Sequence, residues 1–581
     1  MTFTKQPTFL SPQSIRRLGC ISLCLSVCLH FFIPTAWNAA RHPARGKHGM
    51  VASAEPLATQ VGIDILRHGG NAVDAAVAIG FTLAVTYPSA GNIGGGGFLL
   101  LRKGDGSEVV TIDYREMAPQ AAHRLMYQNE KGEVIPKLST EGRNAAGVPG
   151  SVAGMLLALE RYGTMKPSEV IGPALRLAED GFLVSFALQE SLQANRKLLE
   201  KFPESRRIFL NNGESFQEGD LFQQPELART LSRIAAGGAG AFYEGPIADL
   251  IAADSRANGG SITRDDLLAY RPLVRKPLRG TYKGLEIYSM GPPSSGGIAL
   301  FEILNILEPF PLGRYGHNSS QSLHLIVEAM RRAFADRAEF LGDADFVKVP
   351  IAGLIDKSYA AGLRAGIDPF LAGKSDLIGH GTPPLPEATE TTHYSVIDKD
   401  GNAVSVTTTI NGSYGCGVTV PGAGFLLNNE MDDFTSKPGV PNMFGLLQGE
   451  ANAIMPGKRP LSAMTPVVVV KDGKNWLLMG SPGGPTIINT VLQVILNVTD
   501  YGMNIQEAID APRIHHQWMP DVIRMERYGF AADVLQSLQA KGHRIKLSGS
   551  IGDAQGIAVD PATGVRLGAA DPRHTGLAMG Y

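Results

Sequence analysis

From about Thr391 onward the chain changes texture, and this change constrains its fold more than any other feature. Before that point, helical patterns alternate with glycine-rich turns. Residues 56–68 read as an amphipathic helix closed by Gly69-Gly70, and Asn71 caps a very apolar helix that follows. Residues 322–342 place Leu323, Ile326, Val327, Met330, Phe334 and Leu341 near helical spacing. After it come short β-rich runs at 403–410, 467–470 and 476–479, separated by Asp-Gly or Gly-Gly turns. Helices that cover antiparallel strands predict an α/β protein with α/β/β/α layers. No short-period repeat, low-complexity tract or long linker divides it into independent domains.

The chain has 581 residues, with 53 Lys+Arg against 55 Asp+Glu, 44% apolar and 19% charged. A chain this apolar and weakly charged buries enough surface to offset its ordering entropy, which excludes disorder. With no basic excess to neutralise phosphates, nucleic acid is excluded as a partner. At the N-terminus Lys5, Arg16 and Arg17 precede an apolar run from Leu18 to Trp37, and Asn38-Ala39-Ala40 offers a small-residue cleavage site. Residues 1–40 are therefore read as an export signal, with an uncleaved membrane anchor as the alternative. Cys20, Cys24 and Cys28 fall inside it, which leaves Cys416 alone. An exported chain with one cysteine has no internal disulfide, and Cys416, among apolar neighbours, reads as a small buried hydrophobe.

Several chemistry-bearing patterns are absent. Gly94 to Gly97 is followed by no Gly-Lys-Ser/Thr, so it is read as closely packed backbone and not as a phosphate loop. His515-His516 are chain neighbours whose side chains diverge, and no second cluster supplies metal ligands. No Gly-x-Ser-x-Gly elbow occurs. No metal or cofactor is expected.

The informative stretch runs from Thr391 to Asn411. Two β-branched flanks enclose Asp398-Lys399-Asp400-Gly401-Asn402, which predicts a β-hairpin. With Lys399-Asp400-Gly401 as the loop and Gly401 at positive φ, Asp398 pairs with Asn402 and Thr391 stands opposite Thr409. A two-residue loop would pair Thr391 with Ile410 instead. The first register aligns two hydroxyls within hydrogen-bond reach, although threonine is common in strands for packing reasons alone.

This stretch resembles the processing-site signature of the gamma-glutamyltransferases: Thr-Thr-His-x-Ser, then Gly-Asn-x-Val-Ser-x-Thr-x-Thr-Ile-Asn, then Tyr414-Gly415. The blocks at residues 70–75, 113–116, 147–150, 428–434, 459–462, 480–484 and 571–573 resemble the family in the same order. The resemblance implies a four-layer α/β/β/α N-terminal-nucleophile hydrolase fold, one interlocked domain formed by two chains cut from one precursor. It divides residues 41–390 (large subunit) from 391–581 (small catalytic subunit). Cleavage before Thr391 creates an α-amine, with a reference pKa of ~7.7–8.0, able to activate the threonine hydroxyl.

The implied catalytic residues are Thr391, Thr409, which orients the nucleophile, and Gly483 and Gly484, whose N–H groups receive the developing oxyanion. Arg115 and Ser462 match positions that bind the α-carboxylate of the γ-glutamyl group, and Asn411, Glu430 and Asp433 match those around its α-amino group. Residues 437–459 correspond to a lid loop. Implied partners are donors such as glutathione, with water, amino acids or peptides as acceptors, in the periplasm or outside the cell.

Ala463 replaces the second serine of a pair, Phe444 stands where lidded bacterial members often carry tyrosine, and Glu430 replaces a glutamine found in some members. Two alternatives stand beside this reading: a glutaryl acylase of the same superfamily, and an unprocessed, non-enzymatic exported binding protein.

Overall fold

The strands Thr392–Ile397 and Ala403–Thr409 form the expected hairpin. Gly401 takes φ +80°, its amide donates to the Asp398 carbonyl at 3.2 Å, and the Asp398 amide donates to Asn402 at 3.2 Å. Pairing runs from Ile397 with Ala403 to Thr392 with Thr408, which is the register of the three-residue loop. The structure is a computed structural model that describes residues 41–383 and 392–581. The 1–40 segment, the Glu390-Thr391 junction and Thr391 itself lie outside the described residues. The chain divides into Met1–His42 and Pro43–Tyr581, and the fold below is that of the second unit.

Two seven-stranded sheets dominate. In the first, the order is Leu577–Gly580, Met50–Ser53, Thr392–Ile397, Ala403–Thr409, Gly96–Arg102, Val109–Asp113 and Leu273–Arg275. In the second it is Ala44–Gly46, Arg566–Ala570, Gln555–Val559, Lys474–Gly480, Val467–Lys471, Leu285–Ser289 and Leu278–Tyr282. Every pairing in both is antiparallel.

Alternation along the strands sorts their side chains into three cores. Met50, Ala52, Leu100, Ile397 and Ala403 of the first sheet meet Val468, Val470, Leu478 and Ile557 of the second. The intervening residues point outward. Val51, Leu99, Leu101, Val404 and Val406 pack with one set of helices, and Val467, Val469, Leu477 and Met479 with another. Three apolar seams between four layers are the α/β/β/α arrangement predicted from the sequence.

The helices follow their capping signals. Asn71 opens Ala72–Thr86 with a reciprocal capping box to Asp74, and every residue of that helix is buried. Its first amide also donates to the Asp398 carboxylate at 3.0 Å, which ties the hairpin turn to the positive end of the helix. The long helix spans Ser320–Phe340, two residues earlier than the periodicity predicts, because the Ser319 hydroxyl accepts from the Ser322 amide. Among the described residues no helix is long and apolar enough to cross a membrane.

Candidate active site

The hairpin's second strand ends at Thr409 beside a cavity of about 460 Å³. Thr409, Asn411, Gly483 and Gly484 line it together with lid residues Met443 and Phe444. The Asn411 amide donates to Thr409 Oγ1 at 2.7 Å, so this hydroxyl already accepts one bond and keeps its own proton to donate. Asn411 is held at φ +69°, and its Nδ2 donates to the Asn429 carbonyl at 3.0 Å. Its Oδ1 is buried with no hydrogen-bond partner.

Gly483 and Gly484 take φ +129° and +59°, conformations that an L side chain resists. A methyl at Gly483 would fall 2.3 Å from Thr486 Oγ1, and one at Gly484 3.0 Å from the Phe444 ring. Their carbonyls accept from the Thr486 and Ile487 amides, the first turn of the helix Thr486–Thr499. Amides at a helix start have no intrahelical acceptor and sit at the positive end of its dipole. That arrangement suits a developing oxyanion.

Arg115 is fully buried, as are Glu430 and Asp433. Taken alone in the sequence, Arg115 or Asp433 would read as a surface charge. The Arg115 guanidinium bonds the Glu430 carboxylate, donates to Asp433 Oδ2 at 2.7 Å and approaches Glu116 at 3.4 Å. Its Nε reaches the Pro460 carbonyl at 3.4 Å. Burial opposes its charge, but Glu430, Glu116 and Asp433 hold it protonated, above its usual range. Three carboxylates around one guanidinium cannot all ionise in a dry chamber. Burial, then repulsion from Glu430, raises the Asp433 carboxyl well above its usual range, and burial pushes Glu116 up to about 7 against the pull of Arg115.

Ser462 is buried two residues beyond Pro460, and its hydroxyl has no partner. The structure therefore gathers the sequence-predicted residues into two groups: a cavity wall (Thr409, Asn411, Gly483, Gly484) and a buried charged chamber (Arg115, Glu430, Asp433). Asn429 joins them, because it receives Asn411 and immediately precedes Glu430. Thr391, the expected nucleophile, lies outside the described residues.

Sequence reasoning assigned no role to Glu116, although it stands beside Arg115 in a recognised block. It also passed over Asp432, which holds the lid by accepting the Met443 amide at 3.0 Å. Arg524 and His574, on the far cavity wall, were unread too. Cys416 is buried, and burial pushes its thiol up to about 12, as expected of an inert hydrophobe. At Gly94 to Gly97 the space for a side chain is filled by neighbouring backbone and by Glu116, which accounts for the run by packing.

One cluster was missed. His324, Glu328 and His543 gather with ligand atoms within 4.8 Å of one another. The two histidines bond each other, Glu328 is held by other groups, and His543 Nδ1 is buried with no partner. His324 Nε2–H donates to the Asp368 carbonyl at 2.7 Å, so its Nδ1 accepts from His543 at 2.8 Å. Glu328 is occupied by Arg331, Arg332 and the Gly373 amide.

A family model described as Gamma-glutamyltranspeptidase matches residues 58–581. The chain is 51% identical to the glutathione hydrolase proenzyme of Escherichia coli (strain K12), over 98% of this chain and all of that one. Its fold is similar to a solved cephalosporin acylase from Bacillus halodurans, with a TM-score of 0.84, 28% identity, and coverage of 95% of this chain and 99% of that one. It is also similar to a solved gamma-glutamyltranspeptidase chain from Helicobacter pylori, with a TM-score of 0.56, 48% identity, and coverage of 57% of this chain and 94% of that one. The four layers are those of the N-terminal-nucleophile hydrolases, and with a match across nearly all of its length this chain belongs to the gamma-glutamyltranspeptidase family.

Proposed function

We propose that the protein is a self-processing gamma-glutamyltransferase that cleaves the γ-glutamyl amide bond of glutathione and related compounds. It passes the acyl group to water, an amino acid or a peptide through a γ-glutamyl-threonine intermediate. The observation that carries this reading is the shared cavity: Thr409, Asn411 and the Gly483-Gly484 turn face one space, and Asn429 links it to the buried Arg115–Glu430–Asp433 chamber.

In this mechanism residues 41–390 and 391–581 are the two subunits. The new α-amine of Thr391 takes the proton of its hydroxyl, directly or through water, as the hydroxyl attacks the γ-carbonyl. Thr409 donates to and orients that hydroxyl. The amides of Gly483 and Gly484 bind the oxyanion, and its collapse expels the amine of the leaving group, which takes up the proton. Water or an acceptor amine then attacks the acyl-threonine by the same route.

Arg115 and Ser462 bind the α-carboxylate, and Asn411, Glu430 and Asp433 bind the α-ammonium. The unpartnered Ser462 hydroxyl and Asn411 Oδ1 supply a donor and an acceptor of the required kinds. Export to the periplasm or beyond follows from residues 1–40.

Intact-mass measurement on the purified protein, followed by assay with a γ-glutamyl anilide, tests the reading. One chain ending at Glu390, a second beginning at Thr391, and anilide release are expected. A single intact chain that is nonetheless active would defeat the mechanism.

A further inference from the structure

His515 and His516, left without a role by the sequence, bond to the helix Thr486–Thr499 that follows the Gly483-Gly484 turn. Asn489, on the first turn of the helix Thr486–Thr499, donates through Nδ2 to His515 Nδ1 at 2.8 Å and to the His516 carbonyl at 3.0 Å. An amide nitrogen can only donate, so His515 Nδ1 is the acceptor and the ring proton sits on Nε2. That Nε2–H donates to Gln517 Oε1 at 2.8 Å. The Gln517 amide then donates to the lid, at the Phe444 carbonyl (3.4 Å), and to Met519 (3.3 Å).

The relay has one direction and no slack. A neutral imidazole offers one donor and one acceptor, and both are used. Asn489, His515 and Gln517 are all buried. Gln493, one turn further along the same helix, clamps Ile514 through both its amide atoms at 2.9 Å. The 515–517 segment is therefore fixed to the helix, and the lid is fixed to the segment. Burial pushes His515 down to about 3, so its neutral tautomer persists at every working pH.

The far end of the relay is the lid over the oxyanion turn. Phe444 lines the cavity, and its ring lies against Gly484. Phenylalanine has no hydroxyl with which to latch the lid, so here the hold passes through its backbone carbonyl.

We propose that His515 and Gln517 are positioning residues that, through Asn489, couple lid residue Phe444 to the helix carrying Gly483 and Gly484. Lid and oxyanion turn then keep one geometry when a donor binds. This rests on the proposed gamma-glutamyltransferase reading for its kinetic consequence, but its structural consequence stands apart from activity.

The test compares Gln517→Ala, His515→Phe and His515→Gln with the wild type. Amide hydrogen exchange across residues 437–459 is measured together with kcat and KM on a γ-glutamyl anilide. Gln517→Ala and His515→Phe should raise exchange in the lid and raise KM about three- to tenfold, the scale of one lost hydrogen bond. The kcat of Gln517→Ala should stay within about twofold. Glutamine offers one acceptor and one donor, as neutral histidine does, so His515→Gln should return both readings toward the wild type. If His515→Phe leaves Asn489 unpaired and fails to process, Gln517→Ala decides the question alone. Unchanged lid exchange in Gln517→Ala overturns the coupling. A wild type inactive on the anilide would overturn the functional reading, while the exchange measurement would still read the coupling.

Discussion

Replacing Thr409 isolates the hydroxyl on which the mechanism depends. Its Oγ1 accepts from the Asn411 amide at 2.7 Å and, in the proposed mechanism, keeps its proton for the nucleophile. Thr409→Ala removes both bonds, and each loss has its own signature. Loss of the nucleophile's orienting bond slows self-cleavage, which needs no donor, and lowers kcat. Loss of the anchor for Asn411 loosens a residue that faces the donor ammonium and raises KM. A lost orienting bond is worth about 1–3 kcal/mol, or one to two powers of ten in rate. Thr409→Ser restores the hydroxyl without the methyl that fixes its rotamer and should recover most of both.

Thr408 is the internal control. It points to the other face of the strand and donates to the Gly96 carbonyl at 2.7 Å. Thr408→Ala should cost about 1 kcal/mol of stability, visible in Tm, and leave processing nearly intact. Processing followed by gel and mass measurement, with kcat and KM on a γ-glutamyl anilide, reads all three variants. The reasoning fails if Thr409→Ala processes and turns over normally, or if Thr408→Ala is the more damaging change.

Donors that lack the α-amine test the chamber: glutaryl amides should show a kcat/KM lower by roughly one and a half to three and a half powers of ten, because losing one partner of a buried charged contact costs ~2–5 kcal/mol. Equal or better rates with glutaryl amides would make the enzyme an acylase. Gly484→Ala puts a side chain at φ +59° and against the Phe444 ring, so kcat should fall about 10²–10³-fold as one oxyanion donor is misplaced; kcat within threefold of wild type would remove Gly484 from the oxyanion site. Glu116, with its carboxyl pushed up to about 7, stabilises the fold fully below its unfolded pKa near 4.5 and loses that contribution as pH rises through 7. Glu116→Gln imitates the protonated form, so its unfolding free energy should gain on the wild type between pH 5 and 8, by no more than about 3 kcal/mol, with Tm rising in step; a constant difference across that range would refute the shift.

What the sequence disclosed was local. The hairpin register was legible because strand alternation and one glycine at positive φ leave few ways to close a turn. The layers were legible only in part: the β-rich runs after Thr391 could be read, but half the strands of the two sheets, Gly96–Arg102 and Leu285–Ser289 among them, come from the part before it, where helical patterns dominate. The charged chamber was not. Arg115 follows the strand Val109–Asp113, and its partners stand in a short turn at Glu430–Asp433 more than 300 residues away. No spacing rule connects them. Their meeting depends on Asn428, which accepts the Gly147 amide and donates to the Gly94 and Gly147 carbonyls at 2.8–2.9 Å, drawing three distant loops together. The His515 relay was hidden for a related reason. Neighbouring histidines do diverge, as the sequence suggests, but their partners Asn489 and Phe444 belong to other elements.

The topology also explains how a chain can be cut at its active site and keep its geometry. In the first sheet the hairpin lies between Met50–Ser53 and Gly96–Arg102, both from the part of the chain before the proposed cut. In the second, Val467–Lys471 pairs with Leu285–Ser289, again across that boundary. A break before residue 391 therefore severs no pairing among the described strands. The seam between the sheets draws Met50, Ala52 and Leu100 from one side of the boundary and Ile397, Val468, Val470, Leu478 and Ile557 from the other. Each large aliphatic side chain there contributes roughly 1.5–3 kcal/mol by burial, so parting the pieces would expose a core that no single bond replaces. Thr409 is paired with Gly96 across the same boundary, so that pairing holds it in place after the proposed cut. In the proposed mechanism one hydroxyl serves first in cutting the chain and then in turnover, and interleaving keeps Thr409 in place for both.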